Sequence, residues 1–182
     1  MMRKIIALCG HKGSGKDTVA DVFDVLQANR RLAFADPLRT IATTVFGLTP
    51  AQMLDRDLKE VPLDTYPHQS PREILQKIGT DCFRAIWPEV WLEAAHRTIL
   101  NSRFDYVVIT DLRFLNEAVA VKEWGGIIIK IDADERLGPN LDPHPSEADI
   151  PFIEADLVLE NNGSLEDFAS TCHQTLKGLI ND

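Results

Sequence analysis

Gly10-His11-Lys12-Gly13-Ser14-Gly15-Lys16-Asp17-Thr18, directly after the apolar run Ile5-Ile6-Ala7-Leu8-Cys9, is the stretch that decides the fold. It has the G-x-x-x-x-G-K spacing of a phosphate-binding loop, with a buried strand before it and a helical pattern after it. Gly10, Gly13 and Gly15 let the backbone approach a ligand closely, so successive N–H groups of the loop, Ser14 included, can face phosphate oxygens. The helix starting near Asp17 adds its positive dipole end. Lys16 supplies a point charge for the β- and γ-phosphates, and Lys12 offers a second. Asp17 stands where a Ser or Thr hydroxyl usually binds magnesium, and the hydroxyl is displaced to Thr18. Either side chain can serve a hard cation, Asp17 through water. The plainer alternative is that both residues only cap the helix while the glycines form an ordinary turn; strand, loop and helix in register favour triphosphate binding.

A chain of 182 residues suits one domain with a proper core, and no independent second domain is expected. Nineteen Lys and Arg against 28 Asp and Glu leave a net charge of −9, which repels nucleic-acid polymers and anionic membranes as a whole. A phosphate ligand must therefore meet a local positive pocket. Cys9, Cys82 and Cys172 are widely spaced and odd in number, which fits a reducing compartment. No apolar segment reaches membrane length, so the chain reads as cytoplasmic.

Outward from the loop, Val19, Ala20, Val22, Phe23 and Leu26 fall on one helical face over 17–29. Leu32-Ala33-Phe34 reads as a short second strand delivering Asp36-Pro37-Leu38-Arg39 to its C-terminal end, with Asp36 as cap and Arg39 on the first helical turn. Thr49-Pro50 and Ser70-Pro71-Arg72-Glu73 open further helices, separated by a polar, proline-containing loop over 59–71. Helical spacing puts Arg72, Gln76 and Thr80 along one polar side. Strands follow at 106–110, 127–131 and 157–159, with helices between and after them. Residues 132–151 are charged, proline-containing and aperiodic, and read as a lid-like loop, with a plain solvated loop as the alternative. Strands alternating with helices predict a three-layer α/β/α architecture around a central parallel sheet.

A phosphate loop alone does not separate kinases from switches and motors. There is no N-K-x-D base-reading motif, and the strand ending Thr110-Asp111-Leu112-Arg113 has no adjacent glutamate. Instead Arg39, Arg72, Arg113 and Arg136 stand at strand ends and helix starts, where planar guanidinium forks suit bidentate phosphate clamping. The pattern points to phosphoryl transfer between two phosphate-bearing small molecules.

Residues 10–18, Asp36 to Arg39, Pro71-Arg72 with Leu75-Gln76 and Gly79-Thr80-Asp81, Trp91, Asp111 to Phe114 with Asn116-Glu117, and His144-Pro145-Ser146-Glu147 together resemble the deoxynucleoside monophosphate kinases of bacteriophages. The animal-type phosphomevalonate kinases share the G-K-D loop and are the runner-up; a regulatory module that only binds nucleotide is the non-enzymatic alternative. The resemblance implies a single P-loop kinase domain over 1–182, with a helical monophosphate-binding region at 36–104 and a lid at 132–151. It implies ATP and Mg²⁺ as cofactors, a deoxynucleoside monophosphate as acceptor, mobile substrate-binding and lid segments, and the host cytoplasm as location. A homodimer is the default assembly. By position, Gly10, Lys12, Gly13, Ser14, Gly15, Lys16, Asp17 and Thr18 would hold ATP, Asp17 or Thr18 touching the metal. Asp36, Arg39, Arg72, Gln76, Thr80 and Trp91 would line the monophosphate pocket, Trp91 stacking on the base and Gln76 hydrogen bonding. Asp111, Arg113 and Glu117 would sit between the nucleotides, Arg113 neutralising the transferring group and Glu117 binding the acceptor sugar or base. Trp91 can equally be a core aromatic, His144 a capped loop residue, and Glu147 an organiser of the lid rather than a metal ligand.

Overall fold

The structure is a computed structural model that describes residues 3–55, 57–138 and 147–181. The chain divides into two compact units, one formed by 1–33 with 97–182 and the other by 34–96.

The first unit is built on five parallel strands, β1 (Lys4–Cys9), β2 (Asn29–Leu32), β3 (Tyr106–Leu112), β4 (Ile127–Asp132) and β5 (Leu157–Glu160), in the order β2-β3-β1-β4-β5. β1 lies at the centre, pairing Ile5 with Val107 on one side and Ala7 with Ile128 on the other. Ile6 and Leu8 point to one face and Ala7 and Cys9 to the opposite face, and all are buried. A strand buried on both faces needs cover on both, which is why it reads as a continuous apolar run rather than an alternating one. On the Ile6 and Leu8 side, Val19 and Phe23 of α1 (Lys16–Leu26) and Phe168, Cys172 and Leu176 of α8 (Leu165–Asn181) complete the core. α6 (Leu115–Glu123) lies between β3 and β4, and the turn at Gly125-Gly126 fits closely, since a Cβ on Gly126 would stand 2.8 Å from Val121.

The second strand differs from expectation. It runs over Asn29–Leu32, and Leu32 is its last residue rather than its first. β2 is an edge strand, and its Arg31 makes ion pairs of 2.6 Å with both Asp21 and Asp24 of α1. Within the expected aperiodic stretch 132–151, α7 (Asp134–Leu137) and a 3-10 turn at Ile150–Phe152 form. His144, Pro145 and Ser146 lie outside the described residues.

The second unit contains α2 (Asp36–Phe46), α3 (Pro50–Leu54), a 3-10 turn at Leu58–Glu60 and α4 (Pro71–Gln76), around a core of Ala42, Leu48, Met53 and Ile74. Ala35 is the N-cap of α2 and Asp36 its first helical residue, correcting the expected cap by one position. α3 and α4 both begin at proline behind a full capping box, Thr49 with Gln52 and Ser70 with Glu73. α4 then widens into a π-helical stretch, Lys77–Arg84, so the α-helical spacing that aligns Arg72 with Gln76 does not extend to Thr80. α5 (Val90–Leu100) begins in this unit and ends in the first; residues 97–104, expected in the monophosphate-binding region, group with the sheet.

Candidate active site

The loop after β1 is held in a conformation that its glycines permit. Gly10 and Gly15 have φ of 150° and 110°. A Cβ on Gly10 would meet Ser14 Oγ at 2.6 Å and the Ile131 carbonyl at 2.7 Å, and one on Gly15 would meet Asn161 Nδ2 at 2.5 Å. Two residues brace the loop from outside it. Asn161, buried after β5, donates from Nδ2 to the Ser14 carbonyl at 2.7 Å. Arg136 of α7 donates to the Gly13 carbonyl at 2.6 Å and to the Asn161 carbonyl at 3.1 Å. Arg136, expected among the phosphate clamps, is thus bound to loop backbone here. Asn161 was not expected to hold the loop; a contact spanning 147 residues leaves no local sequence signal.

Lys16 folds over this loop, its Nζ donating to the Gly10 and His11 carbonyls at 2.6 and 2.8 Å. Burial lowers its pKa, and the nearby Arg113 lowers it further, while Glu147 and Asp17 favour its charge. Ser14 Oγ is buried without a hydrogen-bond partner. A cradle that a Cβ would fill, an ammonium group and an unsatisfied buried hydroxyl are a donor set that fits an anionic polyphosphate. Asp17 is exposed on the first turn of α1 and Thr18 is half-buried beside it, and both are oxygen ligands of the type magnesium takes.

Opposite Lys16, the end of β3 carries half-buried Asp111 and Arg113. Arg113 Nη1 stands 3.8 Å from Oε1 of Glu147, a carboxylate only 7% exposed. The other oxygen of Glu147 lies 3.2 Å from His11 Nδ1, and the Lys12 N–H donates to Oε1 at 3.2 Å. Lys16, Arg113 and the loop are therefore brought together within one unit, with His11 and Glu147 added to them, and Asp111 lies near the end of the same strand, β3.

Glu117, expected beside the acceptor sugar or base, is bound to backbone in this structure. It is 2% exposed, and its Oε2 accepts the backbone N–H groups of Arg113 and Phe114 at 2.9 and 3.1 Å. It caps α6 and fixes the turn that carries Arg113.

The remaining expected residues belong to the second unit. Asp36 Oδ1 accepts from Arg39 at 2.9 Å, and Arg72 Nε donates to Glu60 at 2.5 Å. Gln76 is half-buried and Thr80 exposed. Trp91 is 5% exposed, with its ring centroid 5.3 Å from that of Phe83 and its indole N–H donated to the Gly79 carbonyl at 3.2 Å. It is a core aromatic that locks the π-helical stretch rather than an open stacking face.

The fold is that of small-molecule kinases: shikimate kinase from Aquifex aeolicus vf5 superposes with a TM-score of 0.56 over 97% of this chain and 98% of that one, at 17% identity. A protein of Acanthamoeba polyphaga mimivirus assigned to the deoxynucleotide monophosphate kinases is 35% identical over 181 residues, covering 91% of this chain and 92% of the relative. The deoxynucleoside-5'-monophosphate kinase of Escherichia phage T5 is 26% identical over 229 residues, covering 89% and 92%. The family profile of deoxynucleotide monophosphate kinase matches residues 51–172, well over half of the sequence. With that match, and with a phosphate cradle and a facing arginine in one unit, the chain belongs to the deoxynucleotide monophosphate kinase family.

Proposed function

We propose that this protein transfers the γ-phosphoryl group of ATP to a deoxynucleoside 5'-monophosphate, giving the diphosphate and ADP. Membership of a kinase family implies ATP use. The observation that carries the site assignment is Lys16 and Arg113 converging on a glycine cradle with a buried, unpartnered Ser14 hydroxyl. Gly10, Lys12, Gly13, Ser14, Gly15 and Lys16 hold the ATP phosphates, through backbone N–H groups of the loop, the Lys12 side chain and the Lys16 ammonium, the Lys12 N–H remaining on Glu147. Magnesium, held through Asp17 or Thr18, supplies charge neutralisation on the polyphosphate when bound.

Phosphoryl transfer needs little covalent chemistry from the protein, so positioning and electrostatics carry the rate. Arg113 neutralises charge developing on the transferring group, and Asp111 organises the loop end around Lys16. Lys16 exchanges its hydrogen bonds to the Gly10 and His11 carbonyls for phosphate oxygens when ATP arrives. Asp36, Arg39, Arg72, Gln76 and Thr80 form the acceptor region, with the two arginines exchanging their carboxylate partners for the monophosphate. The protein acts in the cytoplasm of a host cell, as a homodimer; no helix among the described residues is long and apolar enough to cross a membrane.

The test is coupled ADP release with ATP, Mg²⁺ and each of the four deoxynucleoside monophosphates, their ribose equivalents and mevalonate 5-phosphate. Turnover on deoxynucleotides that falls by about 10²-fold or more in Lys16→Ala and in Arg113→Ala is expected. Turnover only on mevalonate phosphate, or tight ATP binding with no acceptor used, would overturn the reading.

A further inference from the structure

Glu147 is a buried carboxylate that belongs neither to the phosphate loop nor to the helix beneath it. Burying a charge is costly unless it is paired and hydrogen-bonded, so its partners explain why it is there. They are the Lys12 N–H, the His11 ring and, at the longer distance of 3.8 Å, the Arg113 guanidinium. One carboxylate thus joins the first half of the ATP loop to the arginine at the end of β3. Its charge also acts on Lys16: Arg113 and Lys16 repel one another, Arg113 disfavouring the Lys16 ammonium and Glu147 favouring it. Two cations that must converge on one polyphosphate are held near each other before any ligand neutralises them.

We propose that Glu147 is a positioning residue for phosphoryl transfer, the internal counter-ion that holds Arg113 and the His11-Lys12 segment in register across the phosphate site. The inference rests on the kinase reading above. The geometry divides its contacts into two kinds. Those to Lys12 N–H and His11 are at hydrogen-bonding distance and anchor the carboxylate to the loop. That to Arg113 is beyond it, so Glu147 acts on the guanidinium through its charge rather than through a hydrogen bond.

Glu147→Gln separates these roles, because the amide oxygen still accepts the Lys12 N–H while the charge is gone. In steady-state kinetics the Gln variant should lose about 30-fold in kcat with KM for ATP within about threefold of wild type, as for an interaction that orients charge in the transition state. Glu147→Asp, which keeps the charge on a shorter arm, should recover part of the loss. Because Glu147 acts through Arg113, adding Glu147→Gln to Arg113→Ala should cost almost nothing further. A Gln variant with wild-type kcat would overturn the proposal. So would equal losses in kcat and ATP affinity accompanied by a lower melting temperature, or full additivity with Arg113→Ala. If wild type turns over no deoxynucleotide, the acceptor assignment fails separately, and the same variant ratios are then read on ATP hydrolysis with water as acceptor.

Discussion

Adding one methyl group at two glycines of the first unit should move its stability in opposite directions. At Gly15, φ is +110° and the new Cβ would stand 2.5 Å from Asn161 Nδ2 and 2.9 Å from Phe168 Cε1. Phe168 is packed in the core, so Asn161 has to move, and moving breaks its 2.7 Å hydrogen bond to the Ser14 carbonyl. Leaving that buried carbonyl unpaired costs about 1–3 kcal/mol. Holding alanine at positive φ adds about 1–2 kcal/mol. Gly15→Ala should therefore destabilise by about 2–5 kcal/mol, and at about 2–4 °C per kcal/mol for a chain of this size it should lower Tm by roughly 4–20 °C. Gly178 lies within α8 and a Cβ there would meet nothing within 4 Å. Replacing a helical glycine by alanine in open space gains about 0.5–1 kcal/mol, so Gly178→Ala should raise Tm by about 1–4 °C. Differential scanning calorimetry of the two variants beside wild type decides the matter. A Gly15→Ala protein melting within 1–2 °C of wild type would refute the account of the loop as a conformation braced by Asn161, whatever Gly178→Ala does.

Three further outcomes follow from titration and exposure. Lys16 binds its proton less tightly in the fold than in the unfolded chain, so wild type should gain stability relative to Lys16→Met as pH rises toward 10.5, in urea melts between pH 7.5 and 10; a flat or opposite trend would contradict a buried ammonium beside Arg113. Hydrogen bonds from the Ser70 backbone and hydroxyl hold the Glu73 pKa below its ordinary 4.5, so this cap stabilises α4 above that pH and is lost as pH falls through the lower folded value. Glu73→Ala should thus lower the urea midpoint more at pH 7 than at pH 3. Burial raises the thiol pKa values of Cys9 and Cys172 to about 11, whereas Cys82 is exposed. Ellman's reagent should find one fast thiol in the native protein and all three after denaturation.

The apolar strands β1, β3 and β4 were readable because each is buried on both faces, which concentrates Val, Ile and Leu into unbroken runs. β2 was misplaced by the same logic. An edge strand needs no apolar run, so Asn29-Arg30-Arg31 pairs with β3 while the apolar Ala33 and Phe34 lie beyond the ladder. The π-helical stretch has no sequence period of its own to detect. The capping contact of Glu117 is not legible, because Phe114, not Ser, Thr or Asp, stands at the cap position, so the usual signature of a capping glutamate is missing. The phosphate loop was complete in the sequence because all its parts are local. Glu147 and Asn161 act on it from 135 and 147 residues away, and only the folded chain brings them there.

Three arginines expected to meet phosphate each stand beside a carboxylate in this structure, yet the pairs differ in what they ask of a ligand. Arg39 with Asp36 and Arg72 with Glu60 are partly exposed, and both carboxylates remain within reach of water when released. Such pairs contribute about 0–1 kcal/mol, so under the proposed function a monophosphate would replace the carboxylate at little cost and gain a dianion's attraction in exchange. Arg113 with Glu147 is the reverse case, because Glu147 is buried and fastened to Lys12 and His11. Expelling it would strand a charge away from water, so the arrangement favours keeping Glu147 in place. Under the proposed function, Arg39 and Arg72 are thus held loosely, as binding of a monophosphate would require, and Arg113 stands beside a fixed carboxylate, as a step governed by the placement of charge would require.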